Sequence, residues 1–262
     1  LNFLRDYEEA KFLQDTGESL GEDDERSVAD LLVDQVEFAD VILMSKTDLV
    51  SPEQVERLKA ILKTLNAGAK LIPIAQGAIE IEEVIATGRF DFSRAQQAPG
   101  WLKEMREEHI PETEEYGISS FTYSAGKPFH PEKFFQFLHG TEGFGKLLRS
   151  KGYFWLATRP EFAGQWRQAG GIARYGFGGR FWSAVPRAHW PDDPEYLGSI
   201  EKSWEEPFGD MRQELVFIGQ SLDQGRMTEA LDECLLTEDE LLKGRQFWQT
   251  LPDPFPAWEE AA

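Results

Sequence analysis

A repeating order of helical and strand patterns at the start of the chain constrains its fold most strongly. Apolar positions between residues 25 and 38 recur at helical spacing, and Val41–Met44 is a short unbroken apolar run. A second helical pattern follows Ser51-Pro52, a pair typical of a helix start. A second apolar run, Lys70–Ile74, comes next. Such runs suit strands covered on both faces, so the order helix–strand–helix–strand predicts a mostly parallel α/β sheet.

The pattern changes in the middle of the chain. A helix is predicted near residues 79–87, and the polar, acidic stretch that follows is typical of a linker. Strands and helices then occur without strict alternation, which favours an α+β domain. The predicted strands are Ile118–Ser124, Lys151–Thr158 and Glu214–Gly219, with hairpins in 164–185, and the predicted helices are Pro131–Leu138, Thr228–Cys234 and Glu238–Trp248. We therefore predict three parts: residues 1–92, a linker at 93–116, and residues 117–262.

Charge and cysteine content narrow the function. The formal charge of −20 over 262 residues disfavours nucleic acid and anionic membrane surfaces as partners, because both are bound through Lys and Arg. The single cysteine, Cys234, excludes an intrachain disulfide and is predicted to be a buried structural thiol in a reducing compartment, the cytoplasm. No apolar run approaches the roughly 18 residues that a membrane span needs.

The tetrapeptide Ser45-Lys46-Thr47-Asp48 directly follows the first apolar run. Ligands of open α/β sheets bind at the carboxyl ends of strands, which is where these residues are predicted to lie. The Asp48 carboxylate could accept both guanine N1–H and the 2-amino N–H, and the Lys46 stem could lie along the base. A backbone N–H near Ala75, after the next strand, could reach guanine O6. The alternatives are a surface turn that caps the following helix and an ordinary β-to-α connection.

Phosphate and metal chemistry are less evident in the sequence. The 262 residues contain no G-x-x-x-x-G-K-[ST] phosphate loop, and the glycine clusters at 170–171 and 176–179 are interpreted as turns. The four histidines, at 109, 130, 139 and 189, are widely spaced, so no metal ligands are assigned. No catalytic residues are assigned either, and the chain is not expected to hydrolyse GTP alone.

Several long stretches resemble one family, the CobW-like GTPases, and in particular its zinc-associated bacterial branch. The first is L-L-V-D-Q-V-E-F-A-D-V-I-L-M-S-K-T-D-L-V, where family members run from a helix into a strand that ends in Asn-Lys-Thr-Asp. Others include K-P-F-H-P-E-K-F and L-D-E-C-L-L-T. The similarity extends over nearly the whole chain, through residues 31–50, 108–123, 127–134, 149–160, 212–219 and 231–237.

The resemblance implies part of a P-loop GTPase-type parallel sheet followed by a CobW-type C-terminal domain, an antiparallel sheet backed by helices. Lys46 and Asp48 match base-binding positions, whereas Ser45 stands where the family has Asn. The family's phosphate loop, Cys-x-Cys-Cys metal motif and Mg²⁺-binding acid would precede Leu1.

The implied function is that of a GTP-binding metallochaperone that delivers zinc or a related metal. Its implied cofactors are GTP or GDP with Mg²⁺ in the complete protein, and Zn²⁺. Its implied partners are a metal-dependent client protein and further copies of the chain, since an incomplete sheet would expose apolar surface. The alternative is a non-catalytic protein-interaction module derived from that family.

Overall fold

The computed structural model describes residues 28–90, 117–140, 143–170 and 172–258. The first region contains the predicted order of elements: α1 (Val28–Phe38), β1 (Val41–Met44), α2 (Pro52–Leu65) and β2 (Lys70–Pro73). The two strands pair in parallel, with Val41 opposite Lys70 and Met44 opposite Pro73. The predicted parallel pairing is confirmed, and it brings the carboxyl ends of both strands to the same edge.

Asn66, which follows α2, fixes how the helices meet the strands. Its side chain is buried, with 6% exposure, and its Oδ1 accepts the Ala69 N–H at 3.0 Å. Its amide nitrogen donates at 2.8–3.1 Å to the carbonyls of Val36, Glu37 and Ala39. A single side chain therefore satisfies the last carbonyls of α1 and the start of β2, which a helix end otherwise leaves unpaired.

The second region is an antiparallel sheet with helices, as predicted for an α+β domain. Its five strands are ordered β3-β7-β4-β5-β6. The strands are β3 (Ile118–Ala125), β4 (Lys146–Trp155), β5 (Phe162–Ala169), β6 (Ile172–Arg180) and β7 (Gln213–Gln220). The helices are α3 (Pro131–His139), α4 (Pro194–Lys202), α5 (Gln224–Cys234), α6 (Glu238–Leu242) and α7 (Gly244–Trp248). The fold class predicted from the sequence is confirmed.

Helices pack against both faces of this sheet. On one face, α1 contacts β5 and α2 contacts β3, so the first region contributes directly to the core of the second. That shared core contains Ala29, Val33, Leu62, Ile118, Leu148, Val216 and Ile218. On the other face, α3, α5 and the segment around Phe255 bury an aromatic core built on Phe134, Phe154 and Trp166. The two regions are therefore joined by packing as well as by the chain.

Three local predictions are wrong. The helix expected near 79–87 is only a single 3-10 turn at Ile81–Glu83, because the segment is rich in β-branched residues and Ala86 adopts a positive φ of 55°. The helix expected over Glu238–Trp248 is divided into α6 and α7 at Gly244, whose φ is 75°. The glycines at 176–179 lie within β6 rather than in a turn.

Among the described helices, none combines the length and the apolar character that crossing a bilayer requires.

Candidate nucleotide-binding edge

The Ser45–Asp48 loop begins where β1 ends, at the carboxyl edge of the parallel pair. Lys46 adopts the left-handed conformation, with φ 60° and ψ 33°, and its carbonyl accepts the Leu49 N–H at 3.1 Å. Thr47–Leu49 then forms one 3-10 turn. A lysine in this conformation is strained, and such strain is concentrated at functional sites. The turn leaves the side chains of Ser45, Lys46 and Asp48 exposed to solvent.

Thr47 joins this loop to the neighbouring strand. Its backbone N–H and its hydroxyl both donate to the carbonyl of Ile74, at 3.2 and 3.0 Å. Ile74 is buried, with 8% exposure, and its own N–H donates to the Met44 carbonyl at 2.9 Å. The loop after β1 is therefore held against the end of β2. The sequence did not predict this role of Thr47. The signal that could have indicated it is a hydroxyl-bearing residue between two charged ones, Lys46 and Asp48.

The loop after β2 lies at the same edge. Ala75 is exposed, and its carbonyl accepts the Ala78 N–H at 3.0 Å in a tight turn. Gln76 and Gly77 in that turn have positive φ angles of 52° and 75°. The structure thus brings Ala75 to the same edge as the exposed side chains of the Ser45–Asp48 loop. This is the arrangement that open α/β sheets use to hold ligands.

A cleft of about 540 Å³ adjoins the Ser45–Asp48 loop. Its walls combine Ser45, Lys46 and Thr47 with apolar side chains of β1 and α2, among them Ile42 and Leu58. Asp48 does not line the cleft, so the exposed carboxylate and the cleft are neighbouring features rather than one pocket. Leu43 on β1 is 40% exposed, which leaves apolar strand surface open to solvent.

No metal centre is found in the part of the chain that the structure describes. Within those residues no group of three or more His, Cys, Asp or Glu side chains is placed to hold an ion, and His109 lies outside them. Cys234 is a buried free thiol that donates to the Ala230 carbonyl at 3.1 Å, and burial raises its pKa to about 12. A protonated, enclosed thiol is neither a nucleophile nor a ready ligand, and the predicted structural role of Cys234 is consistent with this placement.

The parallel pair with its polar edge, followed by the helix-backed antiparallel sheet, defines a class: an α/β unit with a ligand-sized polar edge joined to an α+β domain. Two family models match the chain accordingly. Residues 8–73 match the CobW/HypB/UreG nucleotide-binding domain, and residues 118–235 match the cobalamin synthesis protein cobW C-terminal domain. Together they cover more than half of the chain, which belongs to the CobW family.

Two curated relatives match the chain over nearly its whole length. The chain is 43% identical over 263 residues to zinc-regulated GTPase metalloprotein activator 1 of Dictyostelium discoideum, covering 98% of the chain and 54% of that protein. It is 27% identical over 250 residues to a zinc chaperone of Mycobacterium tuberculosis, covering 93% of the chain and 58% of that protein. The chain thus spans about half the length of the curated relatives it matches.

Among solved structures, the Zn(II)-bound YjiA GTPase from E. coli matches with 19% sequence identity and a TM-score of 0.38, over 79% of the chain and 55% of that structure. A likeness at this level carries no argument about the site.

Proposed function

We propose that this chain is the base-recognising and C-terminal portion of a GTP-dependent metallochaperone that delivers zinc or a related metal to a client protein. The observation that carries the proposal is the pair of loops at one edge of the parallel strands, held together by the two Thr47 hydrogen bonds to the Ile74 carbonyl. Membership of the CobW family supports it, and so do two relatives, a zinc-regulated GTPase metalloprotein activator and a zinc chaperone.

The chemistry of base selection follows from the exposed groups of this edge. The Asp48 carboxylate accepts guanine N1–H and the 2-amino N–H together, a pair of donors that adenine does not present. The Lys46 stem lies along the ring, and the Ala75 N–H donates to guanine O6. Ser45, shorter than the family's Asn, contributes a hydroxyl at the loop entrance. GTP hydrolysis and metal transfer belong to the whole protein. We assign neither Mg²⁺ nor Zn²⁺ to residues of this chain, because no described cluster fits a metal ion.

The same proposal divides the chain by role. Residues 1–92 form the C-terminal part of the GTPase domain, residues 93–116 form the linker, and residues 117–262 form the CobW-type domain. The polar edge belongs to the first part alone, so base recognition and any partner binding by the second part can be measured separately.

Replacing Asp48 by asparagine tests base recognition directly. The Asn amide offers one donor and one acceptor, which suits xanthine O2 and N1–H but not the two donors of guanine. We titrate the ¹⁵N-labelled chain with guanosine, xanthosine and adenosine monophosphates at millimolar concentration and follow the amide signals of residues 45–48 and 75–77. The unaltered chain is expected to respond to the guanine compound, and Asp48→Asn to the xanthine compound, with about a tenfold reversal of preference, within the range that paired base contacts provide.

Asp239→Asn is the matched control, because it makes the same chemical change at an exposed position on α6. It should leave the response to all three nucleotides unchanged. Equal responses to guanine and adenine compounds, with no change in Asp48→Asn, would contradict base recognition by this edge. Retained folding and partner capture without any nucleotide response would favour the alternative, a non-catalytic protein-interaction module.

A further inference from the structure

Three cationic side chains lie side by side on one face of the antiparallel sheet. In the strand register, Lys151 of β4 is opposite Arg167 of β5, and Arg167 is opposite Arg174 of β6. Directly opposite residues project from the same face of a sheet, so these side chains form a row across three neighbouring strands. The face is the one that α1 covers in part, because Lys151 bonds to Glu37 of that helix. We call Lys151, Arg167 and Arg174 the cationic row.

A row of this kind is unfavourable unless an anion accompanies it. Like charges directly opposite each other in an antiparallel pair destabilise the pairing. The row occurs in a chain with a formal charge of −20, in which 47 acidic residues outnumber 27 basic ones. A concentration of positive charge against that background indicates a local binding role rather than a general surface property.

Within the part of the chain that the structure describes, the counter-charges lie at only one end of the row. Glu37 accepts hydrogen bonds from Lys151 and from neighbouring Arg149, the latter at 3.1 Å. Arg167 is exposed and forms no ion pair within the described residues. The Nη2 atom of Arg174 is buried and has no hydrogen-bond partner there. A buried guanidinium nitrogen without an acceptor is costly, and so the Arg167–Arg174 end of the row lacks an anionic ligand.

We propose that the Arg167–Arg174 end of the cationic row is a docking site for an extended acidic segment of a partner protein. β6 is the outer strand of the described sheet, so the row ends at that strand and an extended segment that crosses the strands can reach it. Arg167 and Arg174 lie on neighbouring strands about 4.8 Å apart, and the carboxylates on one side of an extended peptide are about 7 Å apart. The long, flexible arginine side chains span the difference, so two such carboxylates can meet the two arginines. Nucleic acid is disfavoured by the overall negative charge. This docking does not depend on nucleotide binding.

The experiment uses the full chain and two labelled peptides, (Glu-Thr)₄ and (Gln-Thr)₄, with fluorescence anisotropy as the readout and no nucleotide present. The Glu peptide is expected to bind more tightly than the Gln peptide, and its affinity is expected to fall with rising salt. Arg167→Gln and Arg174→Gln should each weaken binding about fivefold, the upper end for a single exposed charge pair. Arg174→Lys keeps the charge and should bind within about twofold of the unaltered chain.

Lys133→Gln is the matched control, because it removes one positive charge from α3, which packs on the opposite face of the sheet. Lys133→Gln should leave peptide binding unchanged. If it weakens binding as much as Arg174→Gln does, peptide binding depends on the overall charge of the chain rather than on the row, and the proposal is overturned. Two further results would overturn it: no preference for the Glu peptide, or displacement of that peptide by an equal concentration of inorganic phosphate.

The Gln variants should keep or raise the midpoint of thermal unfolding, because they relieve like-charge repulsion. A lowered midpoint in both, with binding lost in Arg174→Lys as well, would show that the row is structural.

Discussion

The hydroxyl of Thr47 has a larger structural role than its position between two exposed residues suggests. Together with the backbone N–H of the same residue, it holds the loop after β1 against the carbonyl of Ile74. Neither Lys46 nor Asp48 makes such a contact with β2 among the described hydrogen bonds. The geometry between the two loops, and with it any shared contact to a base, therefore depends on this residue.

Thr47→Val should remove one of these two hydrogen bonds while keeping the shape of the side chain. Because the Ile74 carbonyl retains the backbone N–H, no buried acceptor is left unpaired, and the expected loss in free energy of unfolding is about 1 kcal/mol. Urea denaturation measures it. Thr64→Val is the control: its hydroxyl donates to the Ala60 carbonyl within α2 at 2.8 Å, a local bond that contributes little to the fold. Equal losses in the two variants would argue against a tethering role.

At this scale the sequence predicted which residues gather at the edge but not how they are held. The exposure of Lys46 and Asp48 follows from their position in the polar loop after the apolar run of β1, a local property. The bond from Thr47 to Ile74 joins residues 27 positions apart, and only the parallel register of β1 and β2 brings them together. The cationic row is another such case, since no local pattern shows that Lys151, Arg167 and Arg174 are neighbours.

At the scale of elements, α1 is joined to β4 by a nearly buried ionic cluster. The side chain of Glu37 is 9% exposed and pairs with those of Arg149 and Lys151, which are 3% and 14% exposed. The Oδ1 atom of Asp34, whose side chain is 45% exposed, also lies 3.6 Å from the Nη2 atom of Arg149. Burial lowers the pKa of Lys151, and the attraction of Glu37 only partly opposes this effect. Among the described ion pairs, Glu37 is the carboxylate that Arg149 and Lys151 share, so the cluster depends strongly on it.

Glu37→Gln should be strongly destabilising, by about 3 kcal/mol, because it leaves two buried cations without their shared anion. Adding Lys151→Met should recover part of the loss, since it removes one of those cations. Chemical denaturation of the single and double variants gives the coupling between the two residues. Glu56→Gln is the control, because Glu56 pairs with Lys59 at 2.7 Å on the exposed side of α2, and it should change stability by less than about 0.5 kcal/mol. A double variant no more stable than Glu37→Gln would contradict this account.

The lowered pKa of Lys151 adds a pH dependence with a definite sign. Between that lowered pKa and the ordinary value of 10.5, the unfolded state binds more protons at this lysine than the folded state does. Stability from this group therefore rises with pH in that window. The stability of the unaltered chain relative to Lys151→Met should rise with pH in the same window, and a flat difference would exclude the effect.

The elements were predicted best where an apolar pattern finds a neighbouring element to pack against, and worst where it does not. β1, α2 and β2 alternate between apolar runs and an amphipathic helix, and the structure confirms each of them. Residues 79–87 also carry apolar residues at helical spacing, but Ile81 and Ile85 are each 60% exposed. A helix there would gain little stability from packing, because it would bury little apolar surface. The division at Gly244 reflects a single positive φ angle, which composition does not disclose.

At the scale of the whole molecule, the shared core makes the two regions interdependent. Val33 of α1 is fully buried in the same cluster as Leu148 and Val216 of the antiparallel sheet. All eight tryptophans follow residue 100, so tryptophan fluorescence reports on the later part of the chain alone. This separation allows a change in the first region to be detected through the second.

Val33→Ala should lower the free energy of unfolding that tryptophan fluorescence reports by about 2 kcal/mol, since two buried methyl-sized groups are lost and a cavity remains. Far-UV circular dichroism should give the same midpoint, because a continuous core favours one cooperative transition. Val84→Ala, at a position that is 39% exposed and outside the shared core, is the matched control and should have little effect. If Val33→Ala instead leaves the fluorescence midpoint unchanged while circular dichroism shows an earlier second transition, the proposed division at residues 93–116 would separate two independently folding units.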